Sequence, residues 1–292
     1  MRLRALAAIF VGVLIGQVPA AVAKGSQAPA VLLAAGDIAD CSLGGARLTA
    51  RLIESHPGTV AAIGDTAYPT GSASDFARCY NPTWGRFKLR TRPAVGNHEY
   101  MTAGARAYFA YFGRRSAPPG GYYSYRLGRW HIVVLNSNCD FVSGGCGPGS
   151  PQLRWLQNDL ARHKARCTLA YWHSPRFSSG PHGSDETMQP IWAALAKAGA
   201  DVVLNGHDHL YQRFAPLDAS GRINRARGIR EFVVGTGGGP LYHAVTTIRA
   251  SRKIITSHWG ILRLKLGTNR FSWRFLSTPN GRVLDSGNSG CH

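Results

Sequence analysis

The sequence predicts an α/β (α+β) fold in which two β-sheets pack face to face and helices cover their outer sides. The chain has 292 residues, of which 44% are hydrophobic and 17% charged, so it is long enough to bury a sizeable core. Before residue 235, short apolar runs alternate with amphipathic helical patterns. After residue 239, alternating runs are separated by turn residues, as expected for antiparallel strands.

Each predicted strand of the first part is a short apolar run of the kind that forms buried strands. These runs lie near 31–36, 60–64, 93–95, 122–126, 130–136, 167–173, 201–205 and 231–235. Three further strands are predicted near 260–266, 271–276 and 282–285. Gly-Thr-Asn and Pro-Asn-Gly turn signals separate them, which indicates hairpins.

Three helices are predicted between the strands. Residues 44–55 carry leucine and isoleucine at helical spacing. Ser150 followed by Pro151 is typical of an N-cap and a first-turn proline, and opens a second helix. Residues 186–200 form the third amphipathic pattern. No internal repeat or low-complexity tract is visible in the sequence.

The first 23 residues resemble a secretory signal peptide. Two arginines precede an apolar stretch, and small residues at Ala21 and Ala23 suit a cleavage site. A membrane anchor is the competing interpretation, but the apolar run is interrupted by glycine and proline and is short for a span. We therefore expect a mature chain of one domain over residues 24–292, without a membrane span. It would be secreted, either extracellular or in the cell envelope (periplasmic).

The cysteine count agrees with export, because an even number in an oxidising compartment usually forms disulfides. The six cysteines are Cys41, Cys79, Cys139, Cys146, Cys167 and Cys291, and none has zinc-site spacing. Cys139 with Cys146 would close a local loop, while Cys41 with Cys79 and Cys167 with Cys291 are plausible long-range pairs. Six cysteines allow about 15 pairings, and the sequence does not choose among them.

The charge balance is strongly basic, with 34 Lys plus Arg against 15 Asp plus Glu and a formal net charge of +19. Such a field attracts anions and favours loose adsorption to anionic envelope polymers. The arginines are spread along the chain and no nucleic-acid-binding module is recognisable, which argues against dedicated nucleic-acid binding. The sequence does not indicate an oligomeric state.

Five short motifs place carboxylates, imidazoles and an amide directly after predicted strands. They are Asp37 in GDIAD, Asp65 and Tyr68 in GDTAY, Asn97 and His98 in GNHE, His173 in YWH, and His207 and His209 in GHDH. Taken singly, each is compatible with an ordinary turn or a structural histidine. Strand ends meet at one edge of a sheet, so the ordered combination predicts a two-metal site.

The residue types suggest how these groups divide the work. Asp65 has two oxygens to offer two cations, so it is the natural bridge, and Tyr68 could supply a phenolate. Adjacent residues of an extended chain point oppositely, so we assign Asn97 to metal and His98 to the substrate side. His207 and His209 lie two apart and can project to the same side.

Together these motifs resemble those of the calcineurin-like metallophosphoesterase superfamily. The tyrosine of GDTAY and the run GHDHLYQR at 206–213 resemble the purple acid phosphatase branch in particular. The resemblance implies a four-layer α/β/β/α double β-sandwich flanked by helices, as a single catalytic domain in a compact form without the N-terminal β-domain of larger members. It implies a binuclear centre with Asp37, Tyr68 and His209 on one ion, Asn97, His173 and His207 on the other, and Asp65 bridging.

The resemblance also implies a reaction. We expect a secreted binuclear-metal phosphoesterase that hydrolyses small phosphate monoesters with broad tolerance, as in phosphate scavenging, by attack of a metal-bridging hydroxide. His98 and His182 would act as catalytic and substrate-binding residues, and Arg176 and Arg213 would contact phosphate, although surface positions suit both arginines equally. The ion at Tyr68 would be Fe(III), because a hard trivalent cation suits anionic oxygen, with Fe, Zn or Mn as its partner.

Two alternatives remain open at this point. A phosphodiesterase or nucleotidase would share the same metal core and differ in loops such as 100–120 and 140–150. A non-catalytic cationic envelope-binding protein would keep metal only as a structural element. The complete donor set, including the non-ligating His98, argues against the second alternative.

Overall fold

A computed structural model of the protein describes Ala8 and residues 28–292. Apart from Ala8, the predicted signal peptide at 1–23 lies outside the described residues. Within the part of the chain that is described, no helix combines the length and hydropathy needed to cross a membrane.

The strands follow the predicted order with two additions. In chain order they are β1 (Ala30–Ala35), β2 (Thr59–Ile63), β3 (Thr91–Ala94), β4 (Tyr123–Leu127), β5 (Trp130–Val134), β6 (Thr168–Tyr171), β7 (Val202–Asn205), β8 (Tyr211–Phe214), β9 (Arg230–Val234), β10 (Ser251–Ile255), β11 (Gly260–Leu266), β12 (Arg270–Ser277) and β13 (Arg282–Gly290). The α-helices are α1 (Gly45–Glu54), α2 (Ala73–Asp75), α3 (Arg106–Phe112), α4 (Pro151–Arg162) and α5 (Gln189–Lys197). Single-turn 3₁₀ segments, including His98–Met101 and Glu186–Met188, connect several of them.

The strands form two mixed sheets. The first has the order β13-β12-β11-β1-β2-β3 and the second the order β10-β8-β9-β7-β6-β5-β4. In the first sheet β1, β2 and β3 run parallel, and β11 pairs antiparallel with β1. In the second sheet β5, β6, β7 and β9 run parallel. The parallel strands of each sheet therefore end at a common edge.

Alternating side chains place the main core between the two sheets. In β6, Leu169 and Tyr171 face the first sheet's apolar residues, whereas Ala170 belongs to a second apolar cluster with Ile191 and Trp192 of α5. Helices α4 and α5 thus cover the outer face of the second sheet, and α1 packs on the first. The predicted four-layer α/β/β/α arrangement is confirmed.

The elements that were predicted have clear local sequence signals, whereas the strands that were missed have weak ones. The Ser150 hydroxyl accepts a hydrogen bond from the Leu153 N–H at 3.2 Å, with Pro151 in the first turn of α4, as the sequence predicts. Strand β8 follows directly on a polar motif, and β10 is an edge strand of mixed polarity. Edge strands need little apolar sequence, so the period-2 pattern did not reveal β10.

The structure pairs all six cysteines. The disulfides are Cys41–Cys79, Cys139–Cys146 and Cys167–Cys291. These are the pairs that the sequence made plausible without selecting them. The third joins the residue before β6 to the last strand's end, 124 residues away along the chain.

Candidate metal centre

The potential ligands follow the carboxyl ends of parallel strands. Asp37 comes two residues after β1, Asp65 two after β2, His173 two after β6 and His207 two after β7. Asn97 lies shortly after β3. Because these strands belong to the two facing sheets, their ends deliver all five side chains to one edge of the sandwich.

Backbone strain concentrates at the same place. Asp37, Asp65 and His207 have positive φ angles of 59°, 45° and 70°, which residues other than glycine rarely adopt. Only two other non-glycine residues in the described part of the chain, Ala105 and Ala117, share this feature. Such conformations persist only where the surroundings enforce them, and they cluster at functional sites.

Glycines before the ligands permit the close approach of the loops. A Cβ on Gly64, whose φ is 75°, would lie 2.5 Å from His173 Nδ1. A Cβ on Gly96 would lie 2.1 Å from Asp65 Oδ1. Neither position has room for a side chain, which explains why a glycine precedes the donor residue in these motifs.

A first group of donors brings together an aspartate, a tyrosine and a histidine. The Tyr68 hydroxyl lies 3.1 Å from Asp37 Oδ1 and 3.0 Å from His209 Nε2. His209 Nε2 lies 3.2 Å from the same Asp37 oxygen. All three side chains are buried. Their donor atoms therefore surround a single point.

A second group lies beside the first. His173 Nε2 is 3.1 Å from Asn97 Oδ1, and donor atoms of Asp65, His173 and His207 all lie within 4.8 Å of one another. Asp65 Oδ2 belongs to both groups, because it is 3.2 Å from His173 Nε2 and 3.3 Å from the Tyr68 hydroxyl. The structure thus brings together all seven side chains that the sequence predicts as metal ligands.

The hydrogen bonds of two histidines show that this donor set suits cations. His173 Nδ1 is 2.9 Å from the Ile63 carbonyl and His209 Nδ1 is 2.6 Å from the Pro240 carbonyl. A carbonyl only accepts, so Nδ1 carries the proton and the lone pair of Nε2 faces the carboxylates. Two acceptors that face each other require a proton or a metal ion between them. The residues therefore fit two metal ions.

The pKa shifts report the same excess of negative charge. Burial lowers the pKa of His173, but Asp65 and Asp37 more than offset it and raise the value to about 10. Burial, Asp37 and Asp65 raise the pKa of the Tyr68 phenol well above its ordinary value. By contrast, burial and the neighbouring His173 lower the pKa of His207 to about 3, so its ring is neutral. Cations would neutralise the carboxylates and favour a Tyr68 phenolate.

Two further predicted histidines lie at the rim of this cluster. The His98 ring is 4.5 Å from the Tyr68 ring, and its Nε2 is 3.8 Å from Asp65 Oδ2 while its side chain stays 26% exposed. His182 is exposed, and its ring centroid is 4.4 Å from that of His207. Both imidazoles can therefore meet a substrate from solvent.

The two arginines predicted to contact phosphate are engaged elsewhere. Arg213 forms a two-pronged ion pair with Asp285 at 2.7 and 3.0 Å and lies over the Trp273 ring. Arg176 donates to Gln189 and Glu186, both at 2.7 Å. Among residues 28–292, no hydrogen bond or ion pair joins either arginine to the metal-ligand cluster. Each guanidinium has partners within the fold, and a phosphate contact by either arginine stays a prediction.

Comparison with known proteins decides the family. The family model for calcineurin-like phosphoesterase matches residues 3–211, more than half of the chain. The chain belongs to this family. The predicted resemblance to purple acid phosphatases is also confirmed: the sequence is 29% identical over 167 residues to probable purple acid phosphatase 20 of Arabidopsis thaliana, covering 48% of this chain and 38% of that protein.

Two more relatives extend the comparison. Purple acid phosphatase 15 of Arabidopsis thaliana is 29% identical over 200 residues, covering 56% of this chain and 37% of that protein. The aligned region thus spans well under half of the length of both relatives. The fold is similar to that of a purple acid phosphatase from yellow lupin (Lupinus luteus) seeds, with a TM-score of 0.69 at 19% identity, covering 91% of this chain and 55% of that chain.

In this member of the family, Glu99 is a residue whose contribution the sequence reasoning missed. Its buried carboxylate accepts hydrogen bonds from the N–H groups of Asp65 (3.0 Å), Thr66 (2.7 Å) and Gly96 (2.7 Å), and from the Thr66 hydroxyl (2.8 Å). It therefore joins the loop that carries Asp65 to the loop that carries Asn97. Burial and the nearby Asp65 raise the pKa of Glu99, whereas these donors favour its ionised form. Its place in GNHE was the available signal.

The site also includes two supporting residues. The Asp208 carboxylate accepts hydrogen bonds from the Ser178 hydroxyl and, at 3.0 Å, from the His182 N–H. Asp208 thereby holds the loop that presents His182. Tyr242 stacks on His209 with ring centroids 4.1 Å apart and an interplanar angle of 6°. No local pattern in the sequence pointed to Tyr242, because it reaches the site from a loop 33 residues beyond His209.

Proposed function

We propose that this chain is a metal-dependent phosphoric ester hydrolase of the acid phosphatase type that cleaves phosphate monoesters. The observation that carries the proposal is the position of Asp65, whose Oδ2 lies within 3.3 Å of both the Tyr68 hydroxyl and His173 Nε2. A single carboxylate oxygen that faces two donor groups suits a bridged pair of ions. The similarity to purple acid phosphatases supports the same activity.

Two ions would be held by separate donor groups. Asp37, Tyr68 and His209 would hold one, Asn97, His173 and His207 the other, and Asp65 would contact both. We propose Fe(III) beside Tyr68, since a phenolate favours a hard trivalent ion, and Fe, Zn or Mn in the second position. When bound, the ions supply the positive charge that activates a water and neutralises phosphoryl oxygens.

We infer that His98 assists the leaving group. Its Nδ1 is hydrogen-bonded to the Pro69 carbonyl, which only accepts, so Nδ1 carries a proton. Nε2 then carries a second proton only in the cationic ring, and that proton faces the cluster. His98 would thus donate this Nε2 proton to the departing oxygen.

His182 would bind the substrate from the opposite side. Its ring lies beside that of His207, with centroids 4.4 Å apart and an interplanar angle of 32°, and Asp208 accepts a hydrogen bond from its backbone N–H. The ring is exposed, so a hydrogen bond to a phosphoryl or ester oxygen costs little desolvation. Open access of this kind agrees with broad tolerance for the alcohol part of the substrate.

We further propose that the enzyme acts outside the cytoplasm as a phosphate scavenger. Three disulfides suit an oxidising compartment, and residues 1–23 have the pattern of a signal peptide that would leave residues 24–292 as one catalytic domain. The net charge of +19 would attract small phosphorylated substrates. It would also favour loose adsorption to anionic envelope polymers.

Hydrolysis of a chromogenic phosphomonoester beside the matching diester tests the proposal. The Asp65→Asn protein serves as the blank, and Glu54→Gln, which removes the same charge from an exposed position on α1, serves as the control. We expect monoester turnover in the wild type and the control, and its loss in Asp65→Asn. A diester preference would indicate a phosphodiesterase or nucleotidase. If metal-loaded protein hydrolysed neither the monoester nor the diester, the enzymatic proposal would be overturned in favour of a binding protein.

A further inference from the structure

A second cluster of metal-binding side chains lies away from the predicted centre, at the amino end of β5. His131 is the second residue of β5, Asp159 lies in the last turn of α4, and His163 follows that helix. One ligand atom from each lies within 4.8 Å of the others. His131 and Asp159 are 2% and 6% exposed, whereas the His163 side chain is 53% exposed.

Several polar atoms of this cluster are buried without a partner. His131 Nε2 lies 2.9 Å from Asp159 Oδ2, within the distance of an ion pair. Neither atom has a hydrogen-bond partner in the described part of the chain, and neither does His131 Nδ1. Unpaired buried polar atoms are costly, and in native structures they usually mark an ion or a water.

The arrangement matches that of ligands around one ion. Zinc binds imidazole nitrogen at about 2.0–2.1 Å and carboxylate oxygen at about 2.0–2.2 Å. Ligand atoms on the same ion are therefore roughly 2.9–3.4 Å apart, and the nitrogen lone pair points at the ion rather than at the oxygen. The distance of 2.9 Å between His131 Nε2 and Asp159 Oδ2 falls in this range.

Neighbouring residues hold the carboxylate in place. Asp159 Oδ1 accepts a hydrogen bond from the Ser124 hydroxyl at 2.8 Å and lies 2.8 Å from His163 Nδ1. These contacts orient Asp159 and leave Oδ2 facing His131. His163 also lines a surface cavity of about 620 Å³, which provides a route for an ion from solvent.

We propose that His131, Asp159 and His163 form an additional divalent-metal site of the zinc class, independent of the phosphoesterase centre. Two imidazoles and one carboxylate are donors that Zn²⁺ prefers over Mg²⁺ or Ca²⁺. The fourth position is open to solvent beside His163. The ion joins the end of α4 to the sheet at β5, and so it stabilises the fold rather than taking part in hydrolysis.

The charges around this site set its salt dependence. Exposed cations surround it, since Arg162 and Lys164 flank His163 and the Arg126 guanidinium donates to the Lys164 carbonyl at 3.2 Å. They repel a divalent ion. Salt screens exposed charges, so the affinity for zinc rises with the concentration of a non-coordinating salt. A site with an acidic surround would show the opposite trend.

Zinc titration of the full chain tests the proposal. We compare wild type with His163→Asn. His56→Asn is the matched control, because His56, like His163, comes after the end of an α-helix, and its Nδ1 is hydrogen-bonded to the Leu52 carbonyl of that helix. Bound zinc is counted by elemental analysis after gel filtration, with the thermal midpoint recorded in parallel. Monoester hydrolysis is measured on each protein, so a defect in the catalytic centre is recognised separately.

We expect wild type and His56→Asn to retain one zinc equivalent more than His163→Asn. Zinc should raise the thermal midpoint of those two proteins by a larger amount than that of His163→Asn. Since His163 is exposed, its replacement should leave the fold and the hydrolytic rate unchanged. Equal zinc content and equal thermal shifts in wild type and His163→Asn would overturn the proposal and leave the cluster as direct contacts of Asp159 with the two histidines.

Discussion

Replacing Glu99 by glutamine should weaken both the fold and the metal centre. Each oxygen of Glu99 accepts at least two hydrogen bonds. Oε1 accepts from the N–H and the hydroxyl of Thr66, and Oε2 accepts from the N–H groups of Asp65 and Gly96, which belong to two different loops. Glutamine can place its carbonyl oxygen on one side only. With that oxygen facing Thr66, its NH₂ group would face the N–H groups of Asp65 and Gly96, so two donors would confront two donors.

The expected cost follows from the bonds that are lost. A hydrogen bond to a charged group contributes about 1.5–3 kcal/mol, so two lost bonds amount to about 3–6 kcal/mol. Removing a buried charge offsets part of this loss, and we expect the free energy of unfolding to fall by about 2–4 kcal/mol. Because the Asp65 loop loses its support, turnover or metal affinity should fall about 10–100-fold.

Urea unfolding, metal content and monoester turnover together check this prediction. Glu231→Gln is the matched control, because Glu231 is equally buried and burial raises its pKa to about 8. At pH 6 it is therefore already neutral, and glutamine replaces it with little loss. If Glu99→Gln were as stable and as active as Glu231→Gln at that pH, Glu99 would be a neutral acid, and the argument that it joins the two loops as a carboxylate would be wrong.

Three further predictions concern other parts of the molecule. His98→Asn should keep the metal content but lower monoester turnover about 10²–10⁴-fold, as expected for loss of a proton donor; unchanged turnover would exclude that role. The raised pKa of Glu231, about 8 against 4.5, means that the folded state retains a proton that the unfolded chain releases. Stability should therefore fall as pH rises from about 4.5 to 8, by up to about 1.4 kcal/mol per pH unit, and unfolding curves of Glu231→Gln should lack this slope. Replacing Cys167 and Cys291 together by serine opens a loop of 124 residues and should cost about 4–5 kcal/mol in denaturant unfolding; a loss below 1 kcal/mol would show that packing alone holds the C-terminal end of the chain against β6.

The predicted fold followed from local patterns, and its errors have local causes. Buried strands such as β6 and β7 are continuous apolar runs, so hydrophobicity alone located them. Strand β13 continues to Gly290, well beyond the predicted end at 285, because an edge strand needs main-chain pairing rather than apolar side chains. The same reason hid β10.

In the candidate site, too, local sequence located some residues but not the partners of others. Asp37, Asp65 and Asn97 were found because each follows a glycine at the end of an apolar run. The carboxylate partners of Arg176 and Arg213 were not predicted, because nearness to a motif in sequence does not reveal which carboxylate a long side chain reaches. Asp285, the partner of Arg213, lies 72 residues further along the chain.

The sequence by itself determined the chemical types of the donors and the strands that carry them, because a short apolar run and the residue that ends it are local properties. Only the tertiary structure decided which donors face one another, how Glu99 joins two loops, and that His131 meets Asp159 and His163. Those contacts depend on the order of strands in two facing sheets and on strained turns at Asp37, Asp65 and His207. Such features are set by packing between residues that are distant in sequence, where no local pattern records them.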